Sequence, residues 1–495
     1  MKYTLGFDIG SSSVKAALLE IETGRTVASA FSPADEMPIT ATRQGFAEQD
    51  PERWWSELIN AVALLRTQVN FRGDEVAGIG ISYQMHGLVC VDKNGEVLRP
   101  SIIWCDSRAV ETGNQAFQDL GEEYCLKRFL NSPGNFTASK LKWVKENEPD
   151  LYKRIYKIML PGDFIAMKLT GAITTTISGL SEGIFWDFST NSLAKDLLQY
   201  YGIDEDKIAG LVPTFGDQGS VTHAAATLLQ LVPGTPVCYR AGDQPNNAYS
   251  LNVLNPGEVA ATAGTSGVIY GVIDQVNYDP LSRVNNFVHV NNSVSQARYG
   301  VLLCVNGTGS LNSWLRRTFF SGLSYSQLNE EAARAPVGSD GLRFYPFGNG
   351  AERVLENRDP GSLLQGIQFN RHERSHVARA AQEGIVFALR YGMEIMQGMG
   401  LKMETIRAGH ANMFLSDVFA TTFCDTTGCR IELYNTDGAT GAARAAGVGC
   451  GAFASLSESF HGMEVVREIE PSSTLQASNT DAYEYWKSGL SKYTG

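Results

Sequence analysis

The sequence of 495 residues contains no Gly-Lys dipeptide and no complete GxGxxG after a strand-like run, and its turn Gly264-Thr265-Ser266-Gly267 lacks the GxSxG spacing. These absences remove the P-loop and the dinucleotide fingerprint, and a serine nucleophile elbow at that turn, because each chemistry needs its glycines and its reactive side chain at fixed offsets. The eight cysteines, at 90, 105, 125, 238, 304, 424, 429 and 450, include no CxxC pair, and the 7 histidines form no cluster. Neither a zinc site nor a disulfide framework is indicated, and reduced thiols in a cytoplasm are expected. No apolar stretch approaches the roughly 20 residues that cross a bilayer, and no basic segment leading into an apolar one opens the chain. Positive charge is scarce: 41 Lys and Arg stand against 53 Asp and Glu, a formal net charge of -12, with no long basic block. Nucleic acid and anionic membrane are therefore not expected as partners.

What the chain does have is length, apolar residues and glycine. It is too long for one compact core, so two domains are expected. Apolar residues make up 43% and charged residues 19%, the balance of a soluble globular protein. Glycine, at 50 residues, exceeds its usual share of about 7% and points to tight turns and close backbone approaches.

Residues 3–9, YTLGFDI, alternate Leu5, Phe7 and Ile9 and predict a strand. Val14 to Ile21 and then Thr26 to Ala28 follow as strands across a Glu-Thr-Gly-Arg turn. "DPERWW" begins a helix, with Asp50 as N-cap, Pro51 at its first position and Trp54, Leu58, Val62, Leu65 and Val69 on one face. Further strands are predicted at 76–81 and 97–104, and residues 210–236 read as a polar, Gly/Pro-rich connection. Residues 258–273, EVAATAGTSGVIYGVI, repeat the opening pattern of strand, small-residue turn and strand. A helix at 377–398, a strand at 404–408, a second helix and a strand at 430–434 follow. The fold class expected is α/β, in two halves, with a domain at 1–245 and another at 246–495.

Six places could carry chemistry. The turn Gly10-Ser11-Ser12-Ser13 can offer backbone N–H groups and hydroxyls to a phosphate, with Lys15 adding charge and Asp8 at the strand end able to hold Mg²⁺ directly or through water. Gly264-Thr265-Ser266 has like chemistry in the second half, and Gly307-Thr308-Gly309 is a third such turn. "ISYQMHG" ends a strand with Met85 and His86, and "IIWCDSR" brings Trp104, Asp106 and Arg108 to a similar position. An aromatic face beside polar side chains suits a polyol. "AGDQPNN" places Asp243 after a strand, where a carboxylate can take the proton of a hydroxyl that attacks a γ-phosphate.

"FDIGSSSVK", "AEQDPERWW", "SYQMHGLV", "IIWCDSR", "NFTASKLKWV", "AGDQPNNA", "TAGTSGV" and "AGHANMFLS" occur in that order over residues 1 to about 450. In this order and spacing the sequence resembles the FGGY family of carbohydrate kinases. The resemblance implies two actin-like, ribonuclease H-like ATPase domains with an active-site cleft at their junction that closes on the sugar, the first domain taking sugar and the second nucleotide. It implies ATP and Mg²⁺ as cofactors, a small-molecule sugar as partner, and a cytoplasmic enzyme; a homodimer stays open. Asp243 would be the general base, and Met85, His86, Trp104, Asp106 and Gln244 would line the sugar pocket. Asp8 would help hold the metal, the turns at 10–13 and 264–266 would take phosphates, and Gly307 to Gly309 with Ala408, Gly409, His410 and Asn412 would approach the nucleoside. "QMHG" and "EQDPERWW" are most similar to the family's kinases of xylulose, which implies phosphorylation of D-xylulose on its terminal hydroxyl. Kinases of gluconate, L-ribulose or glycerol are the alternatives inside the family, and an actin-like ATP-binding protein without sugar kinase activity is the alternative outside it. Three departures from the family pattern stand out: Gln244 where kinases of xylulose commonly have Asn, Ala408-Gly409-His410 in place of three glycines, and a triple serine in place of a threonine-bearing turn.

Overall fold

The computed structural model describes residues 1–494. The chain forms two compact units, each assembled from separated segments. One comprises Met1–Asn252, Phe287–Arg298 and Thr436–Met463; the other comprises Val253–Asn286, Tyr299–Asn435 and the chain from Glu464 onward.

The first unit is built on a five-stranded sheet in the spatial order Val237–Gly242, Val76–Tyr83, Tyr3–Ile9, Val14–Glu20, Thr26–Ser32. The last three pair antiparallel as consecutive hairpins, and the first two join parallel to the Tyr3–Ile9 strand. Leu5, Phe7, Ile9, Val14, Ile79 and Ile81 are all fully buried, because both faces of the sheet are covered. The helix Pro51–Gln68 covers one face with Trp54, Leu58, Val62 and Leu65. Asp50 caps it by accepting the Glu52 N–H, and the Trp54 indole N–H donates to Gln49 at 3.1 Å, so the buried ring leaves no polar atom unpaired. The helix Gly438–Gly449, GATGAARAAGVG, covers the other face. It lies so close that a Cβ on Gly6 or Gly80 would fall 2.0 Å from the carbonyl oxygens of Ala439 and Ala442. Small residues on both partners permit that approach.

The second unit holds a sheet whose strands run in the spatial order Tyr299–Val305, Gly267–Ile273, Val259–Ala263, Thr405–Gly409, Arg430–Tyr434, Val465–Ile469. The first five of these repeat the plan of the first sheet: three antiparallel neighbours joined to two parallel ones. The internal similarity in the sequence is thus a similarity of topology. The helix Arg374–Gly398 buries Ile385, Val386, Leu389, Met393 and Met396. The closing helix Gln476–Thr494 inserts Trp486, whose indole N–H donates to the Phe344 carbonyl at 2.8 Å.

Two local expectations change. The strand expected over 97–104 shrinks to Ser101–Ile102, paired with Glu48–Gln49. Pro100 offers no N–H to a ladder, and the Arg99 side chain turns into ion pairs with Glu48 and Glu148. The polar stretch 210–236 contains a helix, His223–Leu229, capped by the Thr222 hydroxyl.

Candidate active site

The first hairpin places Asp8 directly across from Lys15 and, in the parallel register, beside Ser82. The Ser82 hydroxyl donates to Asp8 at 2.9 Å. Burial raises the Asp8 pKa and the Asp437 charge adds to it, while Lys15 and the Ser82 bond pull the other way. The turn that follows is closed by the Gly10 N–H on the Ser13 carbonyl at 3.1 Å. Ser11 anchors it, accepting from the Gln49 amide through its carbonyl at 2.7 Å and from the Trp104 indole through its hydroxyl at 3.3 Å. Ser11 and Trp104, 93 residues apart in sequence, therefore meet.

Beyond the Val76–Tyr83 strand the chain turns at Gln84, Met85, His86 and Gly87. His86 has φ 61, a left-handed conformation that non-glycine residues adopt seldom and at a cost. Its Nδ1 bonds the Glu182 carbonyl at 2.9 Å, and its ring lies edge-on to Phe136 at 4.8 Å and tilted against Phe287 at 5.4 Å. Trp104 stands 47% exposed, its ring available to a ligand. Asp106 is fully buried: its oxygens take a forked pair of bonds from Arg108 and accept the Ala47 N–H. Arg108 in turn lies over the Phe46 ring at 3.7 Å. Met85 is buried against Gly242, where a Cβ would fall 2.6 Å from the methionine Cγ.

Asp243 is the first residue of the helix Asp243–Ser250, just past the Val237–Gly242 strand. Burial first, and the Asp8 charge second, push its carboxyl up to about 7, against the bonds it receives from Gln244. Gln244 keeps one buried amide oxygen unpaired. Behind Gly242 lies Glu182, 1% exposed, with an oxygen 2.5 Å from where a Gly242 Cβ would stand. Burial and the charges of Asp243 and Asp163 hold its carboxyl well above the usual carboxylate range. A neutral acid next to an ionisable one is the arrangement that keeps two carboxyls from charging together.

In the second unit the turns at Gly264–Ser266 and Gly307–Gly309 come together. The Gly309 N–H donates to the Gly264 carbonyl and the Ser310 N–H to the Thr265 carbonyl, each at 3.0 Å. Asn412, with φ 54, has its amide 3.7 Å from where a Gly264 Cβ would be. The Thr308 hydroxyl points inward to the Val305 carbonyl at 3.0 Å, so this turn presents backbone rather than hydroxyl. Glu352, fully buried, accepts the Asn306 N–H at 3.0 Å and also the Gly307 N–H. Ala408 is buried in its strand, Gly409 ends that strand and His410 is exposed. Gln49, Lys140, Glu182 and Glu352 are absent from the sequence prediction. Gln49 and Lys140 lie in two of the quoted stretches, whereas nothing near Glu182 or Glu352 distinguishes them from surface acids.

Two sheets whose central strands share one plan place the chain among carbohydrate-phosphorylating enzymes of the actin-like ATPase fold. The chain belongs to the FGGY family of carbohydrate kinases: the family's N-terminal domain matches residues 3–249 and its C-terminal domain residues 259–450. Over 469 residues it is 30% identical to a xylulose kinase of Bacillus subtilis, covering 92% of this chain and 90% of that one. A xylulose kinase of Lactococcus lactis is also 30% identical, over 98% and 96% of the two chains. The crystal structure of xylulose kinase from Rhodospirillum rubrum superposes with a TM-score of 0.88 at 25% identity, over 99% of each chain. Gluconate kinase from Lactobacillus acidophilus reaches 0.90 at 22% identity over 100% of this chain and 98% of that one, a likeness of fold alone.

Proposed function

We propose that the protein transfers the γ-phosphoryl group of ATP to the terminal hydroxyl of D-xylulose, forming D-xylulose 5-phosphate. The relatives acting on xylulose support the substrate. Asp243 carries the mechanistic reading. Its carboxyl, held near 7, is ionised often enough at neutral pH to accept a proton and basic enough to attract one. The ketose hydroxyl gives its proton to an Asp243 oxygen as the hydroxyl oxygen attacks phosphorus. Phosphoryl transfer has a loose transition state, so most of the acceleration comes from alignment and charge neutralisation.

Met85, His86, Trp104 and Gln244 bind the ketose in this reading. The Trp104 face takes its C–H surface, and the free oxygen of Gln244 takes a hydroxyl proton. Asp106 has both oxygens engaged, so it acts by holding the loop that presents Trp104. Ser11 to Ser13, Lys15 and the turn at Gly264, Thr265 and Ser266 hold phosphate oxygens, with Gly10 giving the first turn its close approach. Gly307 to Gly309 and Ala408, Gly409, His410 and Asn412 flank the nucleoside. Among the described residues no three His, Cys, Asp or Glu side chains gather into a metal cage. The donor set fits Mg²⁺ all the same, since that ion is commonly bound through one or two carboxylates with waters and phosphate oxygens. Asp8 would hold it, and the ion would neutralise charge on the phosphates. The eight free thiols support a cytoplasmic setting.

The test is a coupled ADP assay on D-xylulose, gluconate, L-ribulose and glycerol, with the wild type and Asp243→Asn. D-Xylulose should give the highest kcat/KM. The variant should lose about 10² to 10⁴ in kcat with its fold retained, the range for a positioned acid–base group. Normal turnover in Asp243→Asn would remove the aspartate from this role.

A further inference from the structure

Met85, His86 and Trp104 sit on two separate loops, 84–87 and 103–106, and one buried cation bonds to both. Lys140 lies in the first turns of the helix Thr137–Asn147 and is fully buried. Its ammonium donates to the His86 carbonyl and to the Ile103 carbonyl, each at 2.9 Å. Its neighbours hold one loop each. The Asn135 amide donates to the Asp106 carbonyl, the Phe136 ring packs on His86, and the Thr137 hydroxyl donates to the Gly87 carbonyl at 3.3 Å. Lys140 bonds both loops.

We propose that Lys140 is a positioning residue for the sugar, fixing the backbone of both loops so that His86 and Trp104 keep one relative placement. This rests on the reading that those loops bind the ketose. The cost of the residue argues for the role. An ammonium inside a protein forfeits its hydration, and a core position is filled more cheaply by leucine or methionine. Among the described residues Lys140 forms no ion pair with an acid; its two partners are neutral carbonyls. The desolvation shows in its pKa, lowered by burial to about 8 despite Asp106 and Cys105 nearby, with Arg108 adding to the decrease. The His86 conformation points the same way. A non-glycine residue at φ 61 persists only where its surroundings over-determine it, and the ammonium fastens the carbonyl which that conformation presents.

The experiment compares the wild type, Lys140→Met, Lys140→Gln and His86→Ala, measuring KM for D-xylulose, KM for ATP and kcat, with thermal unfolding alongside. Lys140→Met keeps the length and removes every donor; Lys140→Gln keeps one amide that reaches a single carbonyl. Lys140→Met should raise the xylulose KM about tenfold to a hundredfold, the loss expected of two charge-assisted bonds. The ATP KM should stay within about twofold, and Lys140→Gln should fall in between. Equal rises in both KM values, or an unchanged xylulose KM in a folded variant, overturns the proposal. If neither variant folds, Lys140 serves the stability of its unit and the proposal fails as well. His86→Ala separates this outcome from the underlying reading. If it leaves the xylulose KM unchanged, the sugar-site reading itself is wrong; if it raises that KM while Lys140→Met does not, only the positioning role is lost.

Discussion

An aspartate whose carboxyl titrates near 7 weakens the fold that holds it. Between about pH 4, where the unfolded chain releases this proton, and about 7, where the folded protein does, only the native state keeps the proton. Stability falls as pH rises through that window, and the loss is complete above it. Asn cannot ionise, so Asp243→Asn should raise Tm at pH 8 and leave it nearly unchanged near pH 4; calorimetry on ligand-free, chelator-treated protein reads the difference. Glu182 follows the same rule. Its carboxyl is held well above the usual carboxylate range, so at pH 7 the folded protein keeps a proton that the unfolded chain has released; Glu182→Gln, which keeps the neutral shape, should raise Tm at pH 7 and leave it nearly unchanged near pH 4. The placement of Asp243 and His86 near strand ends beside turns was legible in the sequence from the local pattern. Glu182 was not, because an acid in a short helix looks like a surface residue until the fold buries it.

At the scale of elements, one contact in each unit holds its candidate residues in place. The helix Gly438–Gly449 rests on backbone at Gly80, so Gly80→Ala drives a methyl into the Ala442 carbonyl. We expect a loss of about 1–3 kcal/mol, the usual cost of overpacking, read from urea midpoints. Glu352 holds the Asn306 and Gly307 N–H groups. Glu352→Ala leaves both unpaired, costs about 1–3 kcal/mol, and should raise the ATP KM while sparing that of xylulose. The two opening hairpins were readable because alternation and turn chemistry are local. So was the helix beginning at Pro51, where Asp50, Pro51 and the apolar face agree. The strand expected at 97–104 failed because apolar content there serves a turn: Pro100 and the ion pairs of Arg99 outweigh strand propensity. The convergence of the Gly264, Gly307 and Asn412 turns had no local signal, since it depends on strands paired across more than a hundred residues.

Across the whole molecule the order of the chain and the order of the fold part company. The first sheet is covered on one face by residues 438–449, which follow most of the second unit in sequence. A fragment of residues 1–252 should therefore expose the face around Gly6 and Gly80 and fail to give a cooperative unfolding transition; joining residues 436–463 to it by a flexible linker should restore one. The segment beyond residue 450, outside both family domains, is equally structural. Trp486 is fully buried, and its carbonyl accepts the Tyr345 hydroxyl at 3.0 Å. Truncating that helix should destabilise the second unit by at least the roughly 3–5 kcal/mol of a lost core tryptophan.

That interleaving has a consequence for biosynthesis. The opening sheet leaves the ribosome early, yet the helix that shields it is translated only after nearly all of the second unit. From the synthesis of the opening strands until residues 438–449 emerge, the nascent chain carries an uncovered apolar surface, a substrate for holdase chaperones.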